Sequence, residues 1–190
     1  RDVAPSRGLG DVYKRQDPNT PLEETLQAMV DVVKQGKALY LGISRWPLEA
    51  LKFAYQYLKK RDCPLLIYQG RLNLIDRAPQ DQGILDYCAE QGIGFISFSP
   101  LAQGLLTDRY INGIPADSRM AKEHFLKHSA LTPELLDRLK TWNMQAAAQG
   151  KTLAEEALAW ILRQKGVTSV LVGASSAAQL EKNMQCVYDC

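Results

Sequence analysis

Several signatures that would place a chain in a specialised class are missing here. No apolar run approaches the ~20 residues of a membrane-spanning helix, and residues 1–16 lack the apolar core of a secretory signal. An excess of one charge sign is missing too, since 23 basic residues face 21 acidic ones and leave a formal net charge of +2. Such a balance provides no field that favours nucleic acid or an anionic membrane surface. We therefore expect a cytoplasmic protein with no nucleic-acid and no membrane partner.

Cysteine and histidine are scarce, and their spacing argues against a metal site. The four cysteines lie at Cys63, Cys88, Cys186 and Cys190. Because no CxxC spacing occurs among them, we expect reduced thiols rather than a disulfide framework or a zinc site. The two histidines, His124 and His128, stand four residues apart, but no carboxylate occupies the HExxH position. The sequence therefore predicts no metal.

What is present is an ordinary globular composition with a repeating pattern. The chain has 190 residues, of which 46% are hydrophobic, enough to bury one sizeable core. From residue 17 onward, short β-rich apolar runs alternate with amphipathic stretches of helical period, as in βα units around a parallel sheet. Because each strand is reached through a helical crossover, all four predicted strands are expected to be parallel. The predicted strands are 38–43, 65–69, 93–98 and 168–172, and the predicted helices are 21–35, 47–60, 78–91, 132–149, 152–164 and a last one from 176.

The first predicted helix has signals at both ends. Thr20 is expected as the N-cap, Pro21 takes the first helical position, Glu23 takes a capping-box position, and Gly36 marks the end. Residues 107–130 break the pattern as a long polar stretch. A connection of that length predicts a lid or a binding loop.

Two strand ends have features that suit a ligand. In GFISFSPLAQG, Gly94 to Gly104, the buried run breaks at Ser-Pro and continues into a small loop, which would leave backbone N–H groups at the carboxyl edge of the sheet. In SVLVGASSAAQLEKN, Gly173 ends a strand and Ser176 begins a helix, whose N–H groups and positive dipole end suit a phosphate. Ser176 and Gln179 also form an ordinary capping box, so a purely structural role stays open.

Four ordered segments resemble a known family. They are DPNTPLEETLQAM, GKALYLGISRW, FSPLAQGLLTDRYINGIPADSRM and TSVLVGASSAAQLEKN, which cover nearly all of residues 17–190. They resemble the aldo-keto reductases, nicotinamide-dependent oxidoreductases on a (β/α)8 barrel. Within that family they are most similar to the branch of bacterial glyceraldehyde-3-phosphate reductases and potassium-channel β subunits. Like the family, the chain has no GxGxxG motif, since Gly92-Ile-Gly94 lacks the third glycine.

The resemblance implies an α/β fold in the form of a partial TIM (β/α)8 barrel, approximately strands 5 to 8 with their helices. A complete barrel takes about 250 residues, and this chain has room for about half of one. Residues 17–190 would be the carboxyl-terminal part of an aldo/keto reductase domain, shortened at both ends. Residues 1–16 would be foreign to it, because their glycine, proline and charge make a poor buried strand. Half a barrel would expose two sheet edges and an apolar seam, which predicts self-association.

The resemblance also implies where a nicotinamide would bind. Ser44 and Arg45 after the first predicted strand and Gln69 after the second would hydrogen-bond its carboxamide. An amide needs a donor and an acceptor, which Gln69 supplies and Arg45 cannot. Phe98 would stack on the nicotinamide face, a role that requires only a flat π surface. Without the family, Gln69 could merely satisfy buried backbone groups, and Phe98 could be a core residue.

The phosphates would be held by two further groups of residues. The family places the pyrophosphate against the segment after Phe98, and long-loop arginines over the phosphates. These residues are Ser99, Pro100, Leu101, Gln103, Gly104, Arg109 and Arg119. The two arginines could equally be solvated surface charges. Ser175 and Gln179 would bind the adenosine 2′-phosphate and Asn183 the adenine, which makes NADP (NADPH) the expected cofactor, although Ala174 and Lys182 depart from residues that relatives use.

The family's catalytic residues are expected to lie outside this chain. They are a tyrosine acid, a lysine, an aspartate and a histidine on the first four strands, so we expect no catalytic residue and no turnover here. The complete protein would transfer a hydride between NADPH and an aldehyde or ketone, with glyceraldehyde 3-phosphate or a similar small aldehyde as substrate. An alternative is a nucleotide-sensing module similar to potassium-channel β subunits, towards which GISRW leans. An incomplete translation product without a role of its own is the third hypothesis.

Overall fold

The computed structural model describes residues 10–13, 19–116, 118, 120, 121 and 126–189. The described strands are β1 Gly10–Tyr13, β2 Tyr40–Ser44, β3 Leu65–Arg71, β4 Gly94–Phe98 and β5 Val167–Val170. The described helices are α1 Leu22–Lys34, α2 Leu48–Lys59, α3 Ala78–Asp81, α4 Ile84–Gln91, α5 Pro133–Ala147, α6 Leu153–Leu162 and α7 Ala177–Met184. Short 3-10 turns lie at Ala102–Gly104, Asp108–Tyr110, His128–Ala130 and Gln185–Asp189. None of the helices in these ranges combines the length and the apolar character needed to cross a membrane.

The strands form one sheet in the order β1-β2-β3-β4-β5. β2 pairs with β1 and with β3, and both pairings are parallel. The α/β fold with a parallel sheet is thus confirmed, while the partial barrel stays a prediction. A register shift between Leu41 and Gly42 marks an irregularity in the pairing of β2 with β3.

The expected number of four strands was wrong, because the described residues include a fifth strand ahead of them. Gly10 to Tyr13 form β1, which pairs with β2 from Gly10 opposite Tyr40 to Tyr13 opposite Ile43. Strand pairing uses backbone N–H and C=O groups, which every residue except proline carries in full. A segment of low strand propensity can therefore join a sheet where a paired neighbour offers those groups.

Two helix predictions also needed correction. The residue at the N-cap of α1 is Pro21, not Thr20, and no side chain caps that end. The helix expected at 78–91 is divided into α3 and α4 at Gly83, whose φ of 72° is left-handed and incompatible with a continuous helix. The expected ends at Gly36 and Gly92 are confirmed, because both have left-handed φ.

The chain divides into two units. The first comprises Arg1–Arg71, Ala78–Ile96 and Lys165–Ser169. Its core contains fully buried leucines from α1 and α2, Leu26, Leu51 and Leu58, together with Ile43 on β2. Burying such a side chain contributes about 1.5–3 kcal/mol. The amphipathic pattern that predicted these helices thus describes their buried face.

The second unit comprises Leu72–Arg77, Ser97–Gln164 and Val170–Cys190. One cluster joins Leu106, Leu139 and Leu153. Another includes Tyr110 and Met120, so the described part of the long segment has an apolar core of its own. The expectation of a wholly polar loop was therefore wrong, because the widely spaced apolar residues in 107–130 show no helical or strand period.

Candidate functional site

The predicted site residues follow the carboxyl ends of strands in both units. Ser44 and Gln69 lie at β2 and β3 in the first unit, whereas the segments after β4 and β5 lie in the second. Carboxyl ends of parallel strands are where α/β proteins bind ligands. The groups after β4 and β5 can therefore be considered together within one unit.

Ser44 and Gln69 are direct neighbours across the sheet. β2 and β3 pair with Ser44 opposite Gln69, and the Ser44 hydroxyl donates to Gln69 Oε1 at 3.4 Å. This is a long bond that still orients the amide. Ser44 is buried and Gln69 is half-buried. The Gln69 amide keeps two N–H donors and an acceptor lone pair, so it can bind a carboxamide in both directions.

Arg45 links the same two strand ends through its backbone. Its φ is 63°, and its N–H donates to the Gln69 carbonyl at 3.1 Å. A left-handed conformation costs a non-glycine residue roughly 1–2 kcal/mol, and such strain concentrates at functional sites. The exposed Arg45 side chain is available to a ligand at this edge.

The loop after β4 concentrates left-handed backbone. Ser99, Ala102, Gln103 and Gly104 have φ values of 52°, 45°, 60° and 100°. Only the last of these is a glycine, so three residues carry a cost of roughly 1–2 kcal/mol each. Contacts elsewhere must hold this conformation, because the segment would relax without them.

Several N–H groups of this loop are open. The Ala102 N–H donates to the Ser99 carbonyl at 3.0 Å and the Gly104 N–H to the Leu101 carbonyl at 2.8 Å. Across the described ranges, the N–H groups of Ser99, Leu101 and Gln103 donate to no backbone carbonyl. Open N–H groups in a turn conformation can form an anion-binding concavity. The loop therefore has the donor set that a diphosphate requires.

The side chains around the loop anchor it. Pro100 is buried, while Phe98 is half-buried. Leu101 packs against the cluster of Leu158 and Cys186. An aromatic residue that is not fully buried beside an anchored loop is compatible with a stacking role.

Of the two predicted arginines, only Arg109 lies among the described residues. Arg109 is exposed and lies in a 3-10 turn, where its N–H donates to the Thr107 hydroxyl at 3.2 Å. Thr107 also donates to the Gly104 carbonyl at 2.7 Å, which connects this turn to the loop after β4. Arg119 lies outside the described residues. The role of both arginines toward phosphates stays a prediction.

The segment after β5 forms a polar helix start. Ser176 is the N-cap of α7, and its hydroxyl accepts from the Gln179 N–H at 3.2 Å. The reciprocal contact goes to Ser175, whose N–H and hydroxyl donate to Gln179 Oε1 at 2.8 and 2.9 Å. Ser175 and Gln179 are thus brought together on an exposed surface, and nothing lies within 4 Å of a β carbon placed on Gly173.

Asn183 is the unusual residue of this helix. It is 6% exposed although its neighbours on α7 are exposed, and its Nδ2 has no hydrogen-bond partner among the described residues. An unpaired buried amide donor costs about 1–3 kcal/mol. Such a group is explained most simply by a ligand acceptor that pairs with it.

A shared apolar cluster brings the two second-unit segments together. Leu101 of the loop after β4 and Val170 of β5 both pack against the cluster that contains Cys186, which follows α7. Leu171, directly after β5, donates its N–H to the Ser97 carbonyl of β4 at 2.8 Å. The open N–H groups of the loop and the helix that carries Asn183 are therefore attached to one support.

Sequence reasoning missed Asn73. It is buried at 1% exposure, and its Nδ2 donates to the Ser99 carbonyl at 3.0 Å. The available signal was an Asx-turn after β3, in which Asn73 Oδ1 accepts from the N–H groups of Ile75 and Asp76. That signal predicts the turn but not the partner 26 residues away.

One buried tyrosine is held by a backbone contact. The Tyr68 hydroxyl donates to the Trp46 carbonyl at 2.7 Å. Burial, followed by the nearby Cys88 thiol, raises the pKa of Tyr68 above its usual range, and Arg45 only partly opposes this. A tyrosine whose pKa is raised in this way is a poor general acid near neutral pH. Tyr68 therefore acts as a structural donor.

Neither a group of metal ligands nor either of two cavities coincides with the predicted site residues in the described ranges. Among the described residues, no three His, Cys, Asp or Glu side chains are grouped so as to hold a metal ion, and His128 is exposed while His124 lies outside that part of the chain. Cys63, Cys88 and Cys186 are buried, and none of them forms a disulfide within the described part of the chain. A cavity of about 440 Å³ lies beside α1, and one of about 220 Å³ lies between α5 and α6. Neither is lined by a predicted site residue.

Comparison with known proteins identifies relatives for almost the whole chain. The model of the aldo/keto reductase family matches residues 13–188. L-glyceraldehyde 3-phosphate reductases of Escherichia coli strain K12 and Escherichia coli O157:H7 are each 46% identical over 178 residues, covering 91% of this chain and 51% of the relative. A solved thermostable aldo-keto reductase in complex with the inhibitor epalrestat has a TM-score of 0.69 and 25% identity, covering 94% of this chain and 54% of that one. The chain spans about half the length of the curated relatives it matches.

Proposed function

This chain belongs to the aldo/keto reductase family, and from that premise we propose that it binds NADP at the carboxyl ends of its strands. We further propose that the complete protein transfers a hydride between NADPH and an aldehyde or ketone. When bound, the dinucleotide supplies the hydride and accepts it back. The chain's own residues bind and orient the two ends of that molecule.

The observation that carries this proposal is a group of hydrogen-bond donors in the second unit. The segments that hold these donors pack on one apolar cluster. Within the described ranges, the N–H groups of Leu101 and Gln103 donate to no backbone carbonyl, and Asn183 Nδ2 is buried without a hydrogen-bond partner. Backbone N–H groups suit phosphate oxygens, and an amide donor suits a ring nitrogen of adenine. A dinucleotide carries both kinds of acceptor, so one ligand would satisfy all three donors.

The choice of NADP over NAD rests on Ser175 and Gln179. The Ser175 hydroxyl donates to Gln179 Oε1, and a bound phosphate would take over that proton as the competing acceptor. The adjacent N-terminus of α7 adds the positive end of a helix dipole. Ser175 would thus bind the 2′-phosphate while Gln179 positions it.

The nicotinamide end would bind at Gln69 and Phe98. Ser44 orients the Gln69 amide, which can then pair with the carboxamide. The half-buried Phe98 would provide the flat surface on which the ring stacks.

The substrate class follows from the relatives. L-glyceraldehyde 3-phosphate reductases match this chain at 46% identity, which favours a small phosphorylated aldehyde for the complete protein. If the chain follows the family pattern, the proton-donating tyrosine and its partner residues would lie on strands that come before the segments matched here. We therefore expect the chain alone to bind the dinucleotide without reducing aldehydes.

The test is a fluorescence titration of the chain with NADPH and with NADH. Ser175→Ala should raise the Kd for NADPH about tenfold, because a hydrogen bond to a charged group is lost. It should leave the Kd for NADH unchanged. Ser129→Ala, in an exposed 3-10 turn, is the matched control and should alter neither value. Absence of saturable binding by the native chain would contradict the proposal, and equal losses for both nucleotides would contradict the 2′-phosphate assignment.

A turnover assay separates the two functional hypotheses. With glyceraldehyde 3-phosphate and NADPH, we expect no steady loss of reduced-nicotinamide absorbance from the chain alone. A sensing role similar to potassium-channel β subunits is favoured if the chain binds NADPH and also captures a membrane-protein partner. Steady turnover would show that the chain carries its own acid.

Two further proposals concern the state of the chain in solution. Tyr40 on β2 and Leu66 on β3 are exposed at 48% and 42%, so we propose self-association through the sheet. Sedimentation should show a concentration-dependent mass, whereas a strictly monomeric chain would contradict this. The absence of a disulfide among the three described cysteines favours a reducing compartment, and we propose the cytoplasm. Localisation of a tagged chain checks that assignment.

A further inference from the structure

Asn73 connects two segments that the sheet brings together. Its Nδ2 donates to the Ser99 carbonyl at 3.0 Å. Its Oδ1 accepts from the N–H groups of Ile75 and Asp76 at 3.0 and 2.8 Å. The amide therefore uses its oxygen for the turn that follows β3 and its nitrogen for the loop that follows β4. A side chain with 1% exposure and this pairing has little freedom to move.

The Ser99 carbonyl, which accepts this hydrogen bond, lies at the start of the loop after β4. Ser99 has a φ of 52°, and its carbonyl also accepts from the Ala102 N–H at 3.0 Å. Because the next residue is Pro100, the peptide plane beyond Ser99 has no N–H through which it could be held. The bond from Asn73 therefore fixes the direction of that plane and, with it, the start of the left-handed segment.

A second contact joins the same two segments. The Ser97 hydroxyl, fully buried on β4, donates to the Leu72 carbonyl at 2.8 Å. Leu72 directly precedes Asn73, so two consecutive residues are tied to the strand and loop at residues 97 and 99. The geometry of the loop is thus set from outside the loop itself.

We propose that Asn73 is a positioning residue for the phosphate-binding loop. It holds Ser99 to Gly104 in the conformation that leaves the Leu101 and Gln103 N–H groups open. It does not touch the ligand, and its effect on binding passes through the Ser99 carbonyl. This inference rests on the proposed function, because the open N–H groups are taken to bind dinucleotide phosphates.

The substitution Asn73→Asp separates the two roles of the side chain. A carboxylate keeps the acceptors for Ile75 and Asp76 but has no proton to donate to Ser99. We expect the Kd for NADPH to rise about tenfold at pH 7.5. Burial at 1% exposure should raise the pKa of the introduced carboxyl above its ordinary value of about 3.9. Part of it is then protonated at pH 5 and regains a donor, so its Kd relative to the native chain at the same pH should recover in part. A merely structural role would not produce a recovery in acid.

Two companion variants complete the experiment. Asn143→Asp makes the same charge change on α5, outside the proposed site, and should leave the Kd unchanged at both pH values. Asn73→Ser keeps an acceptor for the turn but is too short to reach the Ser99 carbonyl, so it should bind about tenfold more weakly with no recovery at pH 5. It also carries the test if Asn73→Asp does not fold.

The outcomes distinguish the two proposals. If the native chain binds no NADPH, the proposed function fails, and this inference fails with it. If the native chain binds and folded Asn73→Asp binds equally well, the positioning role is wrong while the proposed function stands. Weakened binding without recovery in acid, in a folded Asn73→Asp chain, would also overturn the positioning role.

Discussion

The rings of Tyr68 and Phe95 stack with centroids 5.7 Å apart and planes inclined by 18°. Gly70 lies beneath this pair, two residues along β3 from Tyr68. A β carbon at Gly70 would come within 2.6 Å of Phe95 Cζ and 2.8 Å of Cε2. Since Phe95 is fully buried, its ring cannot move aside. The stack therefore depends on the absence of a side chain at position 70.

Gly70→Ala should destabilise the chain through this contact. We expect the free energy of unfolding to fall by about 1–3 kcal/mol, the usual range for overpacking a core. Urea unfolding followed by circular dichroism measures it. Gly173→Ala is the control, because a β carbon there meets nothing within 4 Å, and its stability should be unchanged. Equal stability of both variants would contradict the close approach.

Asn183→Leu should separate stability from binding. Leucine branches at the same carbon and removes an unpaired buried donor, so the free energy of unfolding should stay the same or rise by about 1 kcal/mol. The Kd for NADPH should rise about tenfold, because the adenine contact is lost. Urea unfolding and fluorescence titration of the same samples check both.

A structural role for Asn183 predicts the opposite pattern. If the amide stabilised the fold, Asn183→Leu would lower the free energy of unfolding and leave the Kd unchanged. Asn143→Leu on α5 serves as the control for binding, and its Kd should equal that of the native chain.

The capping box of α6 should make stability depend on pH in acid. Although partial burial opposes ionisation, the Thr152 N–H and hydroxyl donate to Glu155 Oε2 at 2.6 and 2.7 Å, and with Lys182 and Lys151 they lower the pKa of Glu155. Its folded pKa therefore lies below the unfolded value of about 4.3. The stability from this group is present above that value and is lost as pH falls through the folded pKa.

Glu155→Gln removes the titrating group and should flatten this part of the pH profile. Urea midpoints at pH 6, 4.5 and 3.5 should converge for the native and variant chains as the pH falls. Thr152→Ala should reproduce the effect, with a loss of about 1 kcal/mol at pH 6 from the missing cap. Parallel profiles for all three chains would contradict the assignment.

Cys88 should resist thiol reagents in the native protein. Burial raises the pKa of Cys88 to about 12, so only on the order of 10⁻⁴ of it is thiolate at pH 8. Iodoacetamide labelling followed by peptide mass spectrometry should find Cys88 unmodified in the native chain and fully modified in urea. Rapid native labelling would mean that the helix α4 opens readily.

Features that depend only on residues close together in the chain could be predicted from the amino-acid sequence. The ends of helices at Gly36 and Gly92 appear where local signals predict them. The helices expected from residues 132 and 152 begin at the next residue, each after a threonine whose side chain caps the helix. Each involves atoms within a few residues, so the chain specifies it before any long-range contact forms. The motifs after the strands were recognisable for the same reason.

Contacts between residues that are far apart in the sequence could not be predicted from it. The pairing of Gly10–Tyr13 with β2, the bond from Asn73 to Ser99, and the burial of Asn183 all join residues that no local pattern connects. Any strand offers the same backbone groups, and any asparagine the same amide. Only packing of the sheet and its helices selects which of these partners meet, because that choice depends on the free energy of the whole fold.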